Sequence, residues 1–287
     1  MNPAPVNYLT IDVEDYFQVA AFEKIIHPTQ WHSYPSRVER NTKKILEIFD
    51  THKVKATFFI VGWTAEQYPS MVREIINHGH QIACHSYSHQ KIYHQTPEEF
   101  RQDTRLAKDI LEDITGRPIT GYRAPTYSIT KKSLWALDIL EELGFKWDSS
   151  IFPILHDNYG IPDAPRLAYK LPNHDLIEYP ITTTLFWGRK VPVAGGGYFR
   201  ILPYWFTKMA LKKINQQEKQ PFIFYLHPWE VDPDQPRVSH AGWKSRFRHY
   251  HNLNKTEERL HRLLKEFQFG PLDGNLKSSA ADAQRTS

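Results

Sequence analysis

With 287 residues, the chain is long for a single sandwich or bundle and suits an α/β barrel, a fold of about 250 residues commonly built as one domain. Hydrophobic residues make up 40% and charged residues 24%, which excludes a disordered or fibrous chain. A formal net charge of +4, with no Lys/Arg-rich run among the aromatics, argues against a nucleic-acid partner.

The first apolar run, residues 6–11, reads as a strand that leads straight into an acidic cluster, Asp12-Val13-Glu14-Asp15. Ser36 then caps a run in which Val38, Ile45, Ile48 and Phe49 keep helical spacing, and residues 54–61 follow as a β-rich strand. A helix over about 65–78 stops at Gly79, and the strand 81–84 delivers His85 at its end. Thr96-Pro97-Glu98-Glu99 is a helix start with a capping Thr, a Pro at the first helical position and a Glu placed to reach back. That helix runs to Ile114 and ends near Gly116. A short strand at 121–124 carries Arg123, Thr130 opens the next helix, and the strand 145–147 ends in Asp148-Ser149-Ser150. Between Phe152 and Gly197 only residues 176–179 are strand-like, so long loops are expected, and Gly195-Gly196-Gly197 reads as a turn. A helix at 204–217, the apolar strand 222–226 ending at His227, and a last helix at about 256–267 complete the pattern. Residues 271–287 read as a polar, flexible tail, and residues 1–270 as one domain.

Alternating strands and helices imply a largely parallel sheet with helices outside. Asp12, His85, Arg123, Asp148 and His227 each fall at the carboxyl end of a different strand, where a barrel gathers its active site. An open doubly wound sheet would use fewer strand ends and a glycine-rich phosphate turn after its first strand, and none is present. His85-Ser86-Tyr87-Ser88-His89 sets two histidines four apart, two of the three protein ligands of an open catalytic metal site. A third ligand must come from elsewhere. Cys84 is the single cysteine, so no intrachain disulfide forms, and it reads as a small buried hydrophobe. No apolar run approaches the ~18 residues that span a bilayer, and no charged-then-apolar leader opens the chain.

Five short motifs in this order resemble the polysaccharide deacetylases of the NodB-homology type, carbohydrate esterase family 4. They are Thr10 to Asp15; His85 to His89; Arg123-Ala124-Pro125; Trp147-Asp148; and Leu226-His227. Asp12 to Phe17, Arg123 to Thr126 and His227-Pro228-Trp229-Glu230 are similar to a subgroup found with exosortase/PEP-CTERM exopolysaccharide loci, whose C-terminal extension would begin at about 228. The resemblance implies a NodB-like deacetylase barrel, a distorted (β/α) barrel of about seven strands. It implies a divalent metal, zinc first, though two histidines and a carboxylate also suit cobalt, nickel or iron. By resemblance Asp12 is the catalytic base, held by Arg123, and the backbone N–H of Thr126 stabilises the oxyanion. His227 is the general acid, oriented by Asp148. The family places base and metal carboxylate next to each other, whereas here Val13 follows Asp12. Alternate positions of an extended chain share a face, which favours Glu14 over Asp15 as the third ligand beside His85 and His89, unless a bulge intervenes.

The implied reaction removes the N-acetyl group from an amino sugar of an exopolysaccharide or its precursor and releases acetate. The partners implied are an acetylated polysaccharide or oligosaccharide and exopolysaccharide assembly proteins. The expected location is the cytoplasm, with association at the envelope as the pathway suggests. Two other readings stand beside this one: a cyclic amidohydrolase of the allantoinase or imidase kind on the same barrel, and a carbohydrate-binding or scaffolding protein without turnover. Of the eight Trp, Trp63, Trp187, Trp229 and Trp243 fall in or beside loops, yet each is read as core. Lys244, Arg246, Arg248, His249 and His251 read as a solvated basic face.

Overall fold

In the computed structural model residues 5–156, 159–272 and 274 are described. The strands are β1 (Asn7–Val13), β2 (Thr57–Ile60), β3 (Gln81–Cys84), β4 (Gly121–Tyr122), β5 (Trp147–Asp148), β6 (Tyr169–Lys170), β7 (Ile177–Glu178), β8 (Thr183–Phe186), β9 (Arg189–Pro192), β10 (Ile223–Leu226) and β11 (Phe269–Gly270). Seven of them form one parallel run in the order β10-β1-β2-β3-β4-β5-β7, with β6 antiparallel at the edge and β11 beside the start of β1. The sheet curls into a half-barrel, the distorted α/β barrel expected. Its two edges approach without a ladder: Thr182 Oγ1 accepts from the Ile223 N–H at 2.7 Å, and Gly195 forms a single bridge to Tyr225.

The helices are α1 (Val38–His52), α2 (Gly62–Gln67), α3 (Pro69–Asn77), α4 (Pro97–Thr115), α5 (Trp135–Glu142), α6 (Gly196–Ile201), α7 (Tyr204–Gln216), α8 (Trp243–Tyr250) and α9 (Leu253–Glu266). The helix expected over 65–78 is two, because Pro69 has no N–H to donate and starts a new helix after Tyr68. Thr130 opens a turn closed by the Ser133 hydroxyl rather than a helix, and α5 begins at Trp135. The segment read as loops contains the hairpin β8–β9 and the short helix α6. The last helix starts at Leu253, and α8 precedes it, unread because its basic and aromatic residues carry little helical apolar period. Residues 275–287 of the expected tail lie outside the described residues.

Strand alternation explains what enters the barrel. Tyr8, Phe59, Ala83, Trp147, Tyr179 and Ile223 meet in one interior cluster, while Leu9, Ile11, Val13, Phe58, Ile60, Cys84, Phe224 and Leu226 face the outer helices. At Gly121 the interior has no room for a side chain: an added Cβ would lie 1.9 Å from Trp147 Cζ2. Continuing the inward series along β1 from Tyr8 gives Thr10 and Asp12, and along β3 from Ala83 gives His85. On β10 the series Ile223, Tyr225 leads to His227. The core is thus apolar at its base and turns polar at the carboxyl ends of the strands.

Candidate metal centre and active site

Ligand atoms of Glu14, His85 and His89 lie within 4.8 Å of one another, which is spacing suited to a single ion. His85 Nδ1 lies 2.7 Å from the Arg123 carbonyl, so it carries the proton and donates, leaving Nε2 as the lone-pair nitrogen. Burial and the neighbouring His89 hold the His85 pKa well below the ordinary value, so the ring stays neutral as a ligand requires. Glu14 Oε2 is buried and makes no hydrogen bond, although His89 Nε2 stands 2.8 Å away. Two such atoms converging on one point fit a shared cation. Burial alone would raise the Glu14 pKa, but His89 and His227 outweigh it and keep the carboxylate ionised.

Asp15 is occupied elsewhere. Its Oδ2 accepts from Ser36 Oγ at 2.7 Å, Arg37 N at 2.8 Å and Val38 N at 3.1 Å, so it caps α1. Its Oδ1 accepts from Tyr16 N. Of the two carboxylates the sequence left open, Glu14 is the one at the cluster.

Asp12 lies beside this cluster. Arg123 Nη1 donates to its Oδ1 at 2.6 Å and to Thr10 Oγ1 at 2.9 Å, and the Tyr127 hydroxyl reaches Oδ2 at 3.4 Å. The guanidinium is fully buried; Nε and Nη2 donate to the Ser149 carbonyl and hydroxyl, and the Phe59 ring lies 4.0 Å from Cζ. Such enclosure fixes Arg123 in one orientation. Thr126 sits in the left-handed region at φ 56°, and Tyr127 follows at φ 53°, a conformation a β-branched residue adopts only under constraint. No acceptor takes the Thr126 N–H among the described residues.

His227 Nε2 faces Glu14 Oε1 at 3.2 Å, and Nδ1 lies 2.7 Å from Glu230 Oε1. Glu230 Oε2 in turn accepts from Arg200 Nε at 2.6 Å, with both partners buried. Burial opposes charging of His227, yet Glu14 and Glu230 outweigh it and push its pKa up to about 9. The Trp229 ring stacks between His227 and His249, at centroid distances of 5.2 and 4.2 Å.

The expectation that Asp148 orients His227 is corrected. Trp147 points into the barrel, so Asp148, its neighbour on a pleated strand, points out. There it lies opposite Glu178, while Ser150 Oγ donates to its Oδ1. Burial pushes both carboxyls up, and the neighbouring Asp148 pushes Glu178 up further, so Glu178 is the one that holds the proton of the pair. Asp148 acts on the site at a remove: Ser149 holds Arg123, and Ser150 Oγ accepts from the Ala124 N–H. The residue missed is Glu230, and the sequence carried its signal. His227-Pro228-Trp229-Glu230 repeats the capping pattern of Thr96-Pro97-Glu98-Glu99, and Glu230 Oε1 reaches back to the His227 N–H as Glu99 does to Thr96. Arg200 had no such marker.

These groups surround one cavity of about 220 Å³, lined by Asp12, Glu14, His85, His89, Thr126 and His227, with Trp229, Arg248 and His249 on its C-terminal wall. A larger surface depression between Phe186 and Gln217 touches none of these groups.

Residues 24–147 match the family described as polysaccharide deacetylase, and residues 149–277 a domain of unknown function, DUF3473. A peptidoglycan-N-acetylglucosamine deacetylase of Bacillus cereus is 29% identical over 147 residues, 47% of this chain and 53% of that protein. A peptidoglycan deacetylase of Helicobacter pylori is 26% identical over 116 residues, covering 40% and 38%. The chain therefore spans about half or less of the curated relatives it matches. Among solved structures, a candidate polysaccharide deacetylase from Mycobacterium smegmatis superposes with a TM-score of 0.59 at 17% identity, covering 94% of this chain and 88% of that one. Residues 24–147 are thus similar to the polysaccharide deacetylases, and the chain shares the fold of the Mycobacterium smegmatis structure.

Proposed function

We propose that the protein is a metal-dependent deacetylase that hydrolyses the N-acetyl group of an amino sugar in an exopolysaccharide or its precursor and releases acetate. One observation carries the reading: a candidate metal triad, a carboxylate held by a buried arginine, and a histidine held by a buried carboxylate all line the same cavity. A divalent ion held by Glu14, His85 and His89, zinc by preference, would supply Lewis acidity and a water of lowered pKa.

The chain's own groups account for the remainder. Asp12 accepts the proton of the attacking water, and the hydrogen bond from Arg123 keeps its carboxylate aimed. The uncommitted Thr126 N–H, held in place by its unusual backbone, donates to the oxyanion as the carbonyl carbon becomes tetrahedral. His227 gives a proton from Nε2 to the departing amine, while Glu230 holds Nδ1–H and stabilises the imidazolium. The exopolysaccharide substrate rests on the similarity of the Asp12, Arg123 and His227 motifs to the exosortase-associated subgroup, as do assembly proteins as partners and association with the envelope.

The test is acetate release from a panel of N-acetylated oligosaccharides and polymers, with and without chelator. Release that stops with chelator and returns with a divalent metal is expected. Turnover of cyclic amides without acetate would replace this reading by the amidohydrolase one, and glycan binding without any turnover in metal-loaded protein would replace it by a scaffold.

A further inference from the structure

The stretch 235–256 contains five Lys/Arg residues and no Asp or Glu. Helix α8 lies within it, and its basic side chains Lys244, Arg246 and Arg248 are exposed. Among the described residues none of the three has a carboxylate within ion-pair distance. A solvated basic face would have the same composition. Position separates the two readings: Arg248 forms part of the cavity wall that includes Asp12, Glu14 and His227.

The charges of that cavity can be paired off. Asp12 is matched by Arg123 and Arg200 by Glu230, while Glu14 faces His89 and His227. Arg248 is the cation left over among the described lining residues. Beneath it the wall is rigid: His249 is buried, its Nε2 lies 2.6 Å from Gln235 Oε1, and its ring stacks on Trp229. Arg200 Nη1 donates to the His249 carbonyl at 2.8 Å, tying the end of α8 to the residue that also holds Glu230. The base of the Arg248 side chain is therefore fixed relative to His227. Further along α8, Trp243 is 75% and Phe247 50% exposed, one helical turn apart, beside the Lys244 and Arg248 stripe. Exposed aromatic rings and cations on the helix whose Arg248 lines a sugar-sized cavity suit a chain of sugars bearing negative charge.

Resting on the deacetylase reading, we propose that Arg248 determines specificity, selecting an anionic acetylated glycan that carries a carboxylate on the sugar next to the reacting acetamido sugar. Lys244 extends the same face toward the following units, and Trp243 and Phe247 offer ring faces for stacking.

The experiment compares two acetylated oligosaccharides of equal length, one neutral and one containing a uronic acid beside the N-acetyl sugar, on the full chain loaded with metal. Acetate release and calorimetric binding are both measured at low and high salt. The wild type should favour the uronate-containing substrate by about tenfold in kcat/KM at low salt, through KM, and lose most of that preference at high salt. Arg248→Gln should lower the anionic-to-neutral ratio about five- to tenfold, Arg248→Lys should retain most of it, and Arg248→Glu should invert it. An equal effect of Arg248→Gln on both substrates, or a ratio near one in the wild type, overturns the proposal. So does salt-sensitive binding to phosphatidylglycerol vesicles that Arg248→Gln abolishes while the glycan ratio stays fixed. If no acetate is released from either glycan but calorimetry still shows an Arg248-dependent preference for the anionic one, the deacetylase reading fails and the specificity stands.

Discussion

Replacing Glu230 separates the two partners considered for His227, the proposed general acid. Its Oε1 accepts from His227 Nδ1–H at 2.7 Å and from the His227 backbone N–H at 3.1 Å, while Oε2 takes Arg200 Nε at 2.6 Å. Glu230→Gln keeps the shape but has one acceptor oxygen. With that oxygen toward His227, the amide NH2 confronts Arg200, a buried donor against a buried donor, at a cost of about 3 kcal/mol. The imidazolium formed on proton transfer also loses its counter-charge. Orienting carboxylates of catalytic histidines contribute up to about 10⁴-fold elsewhere, and a loss of about 10²- to 10³-fold in kcat with little change in KM is expected here. Asp148→Asn should cost less than about tenfold, since Asp148 faces out of the barrel toward Glu178 and reaches the site only through Ser149 and Ser150. Steady-state acetate release gives kcat and KM, and urea unfolding gives the stability change. If Asp148→Asn lost as much kcat as Glu230→Gln, with both variants folded, the assignment of Glu230 as the orienting group would be wrong.

The carboxylates at the start of the chain divide in the same way: Glu14→Gln should abolish stoichiometric metal by elemental analysis, whereas Asp15→Asn should retain it and lose about 1 kcal/mol as the α1 cap weakens. His80 is buried between the Phe49 and Phe58 rings, accepts the Ala56 N–H on Nδ1, and burial lowers its pKa to about 4. Its folded pKa lies below the unfolded one, so between about pH 6.5 and 4 the unfolded chain binds the extra proton and stability falls as pH falls. Unfolding at pH 7 and pH 5 should differ by about 2 kcal/mol more in the wild type than in His80→Gln, and an unchanged difference would remove His80 as the cause. Gly121→Ala should cost about 2 kcal/mol or more, because Trp147 is packed where the methyl would go; thermal unfolding reads it, and a neutral result would contradict the close approach.

The strand ends were legible because alternation fixes faces. Once residues 6–11 are read as a strand, Asp12 and Glu14 share a side and the helix cap at Asp15 is left to the other. The same rule, applied to Trp147 and Asp148, turns Asp148 outward, against the role the family resemblance implies for it. Hairpin β8–β9 was legible, since Thr183 to Phe186 are β-formers and Trp187-Gly188 makes the turn, whereas α6 was hidden because it begins on Gly196-Gly197. Arg200 could not be found from the chain alone, since its role depends on a partner 30 residues away that only folding brings within 2.6 Å.

The division of the chain between two families does not divide the active site. His85, His89, Arg123 and Thr126 lie within the deacetylase match at 24–147, whereas Arg200, His227, Glu230 and Arg248 lie within the segment 149–277. Asp12 and Glu14 precede both. The second segment cannot be an appended module, because β10 pairs with β1 from Tyr8 to Ile11 and so supplies one wall of the barrel. β11 pairs with the start of the same strand. A sheet ending at β5 would leave β1 as an exposed edge and Asp12 beside no acid. The proposed general acid, the carboxylate that holds it and the arginine proposed to meet the substrate thus come from one stretch of chain, with Arg200 tying Glu230 to the end of α8. A change in that stretch that alters what the cavity accepts will therefore also act on His227, the proposed proton donor.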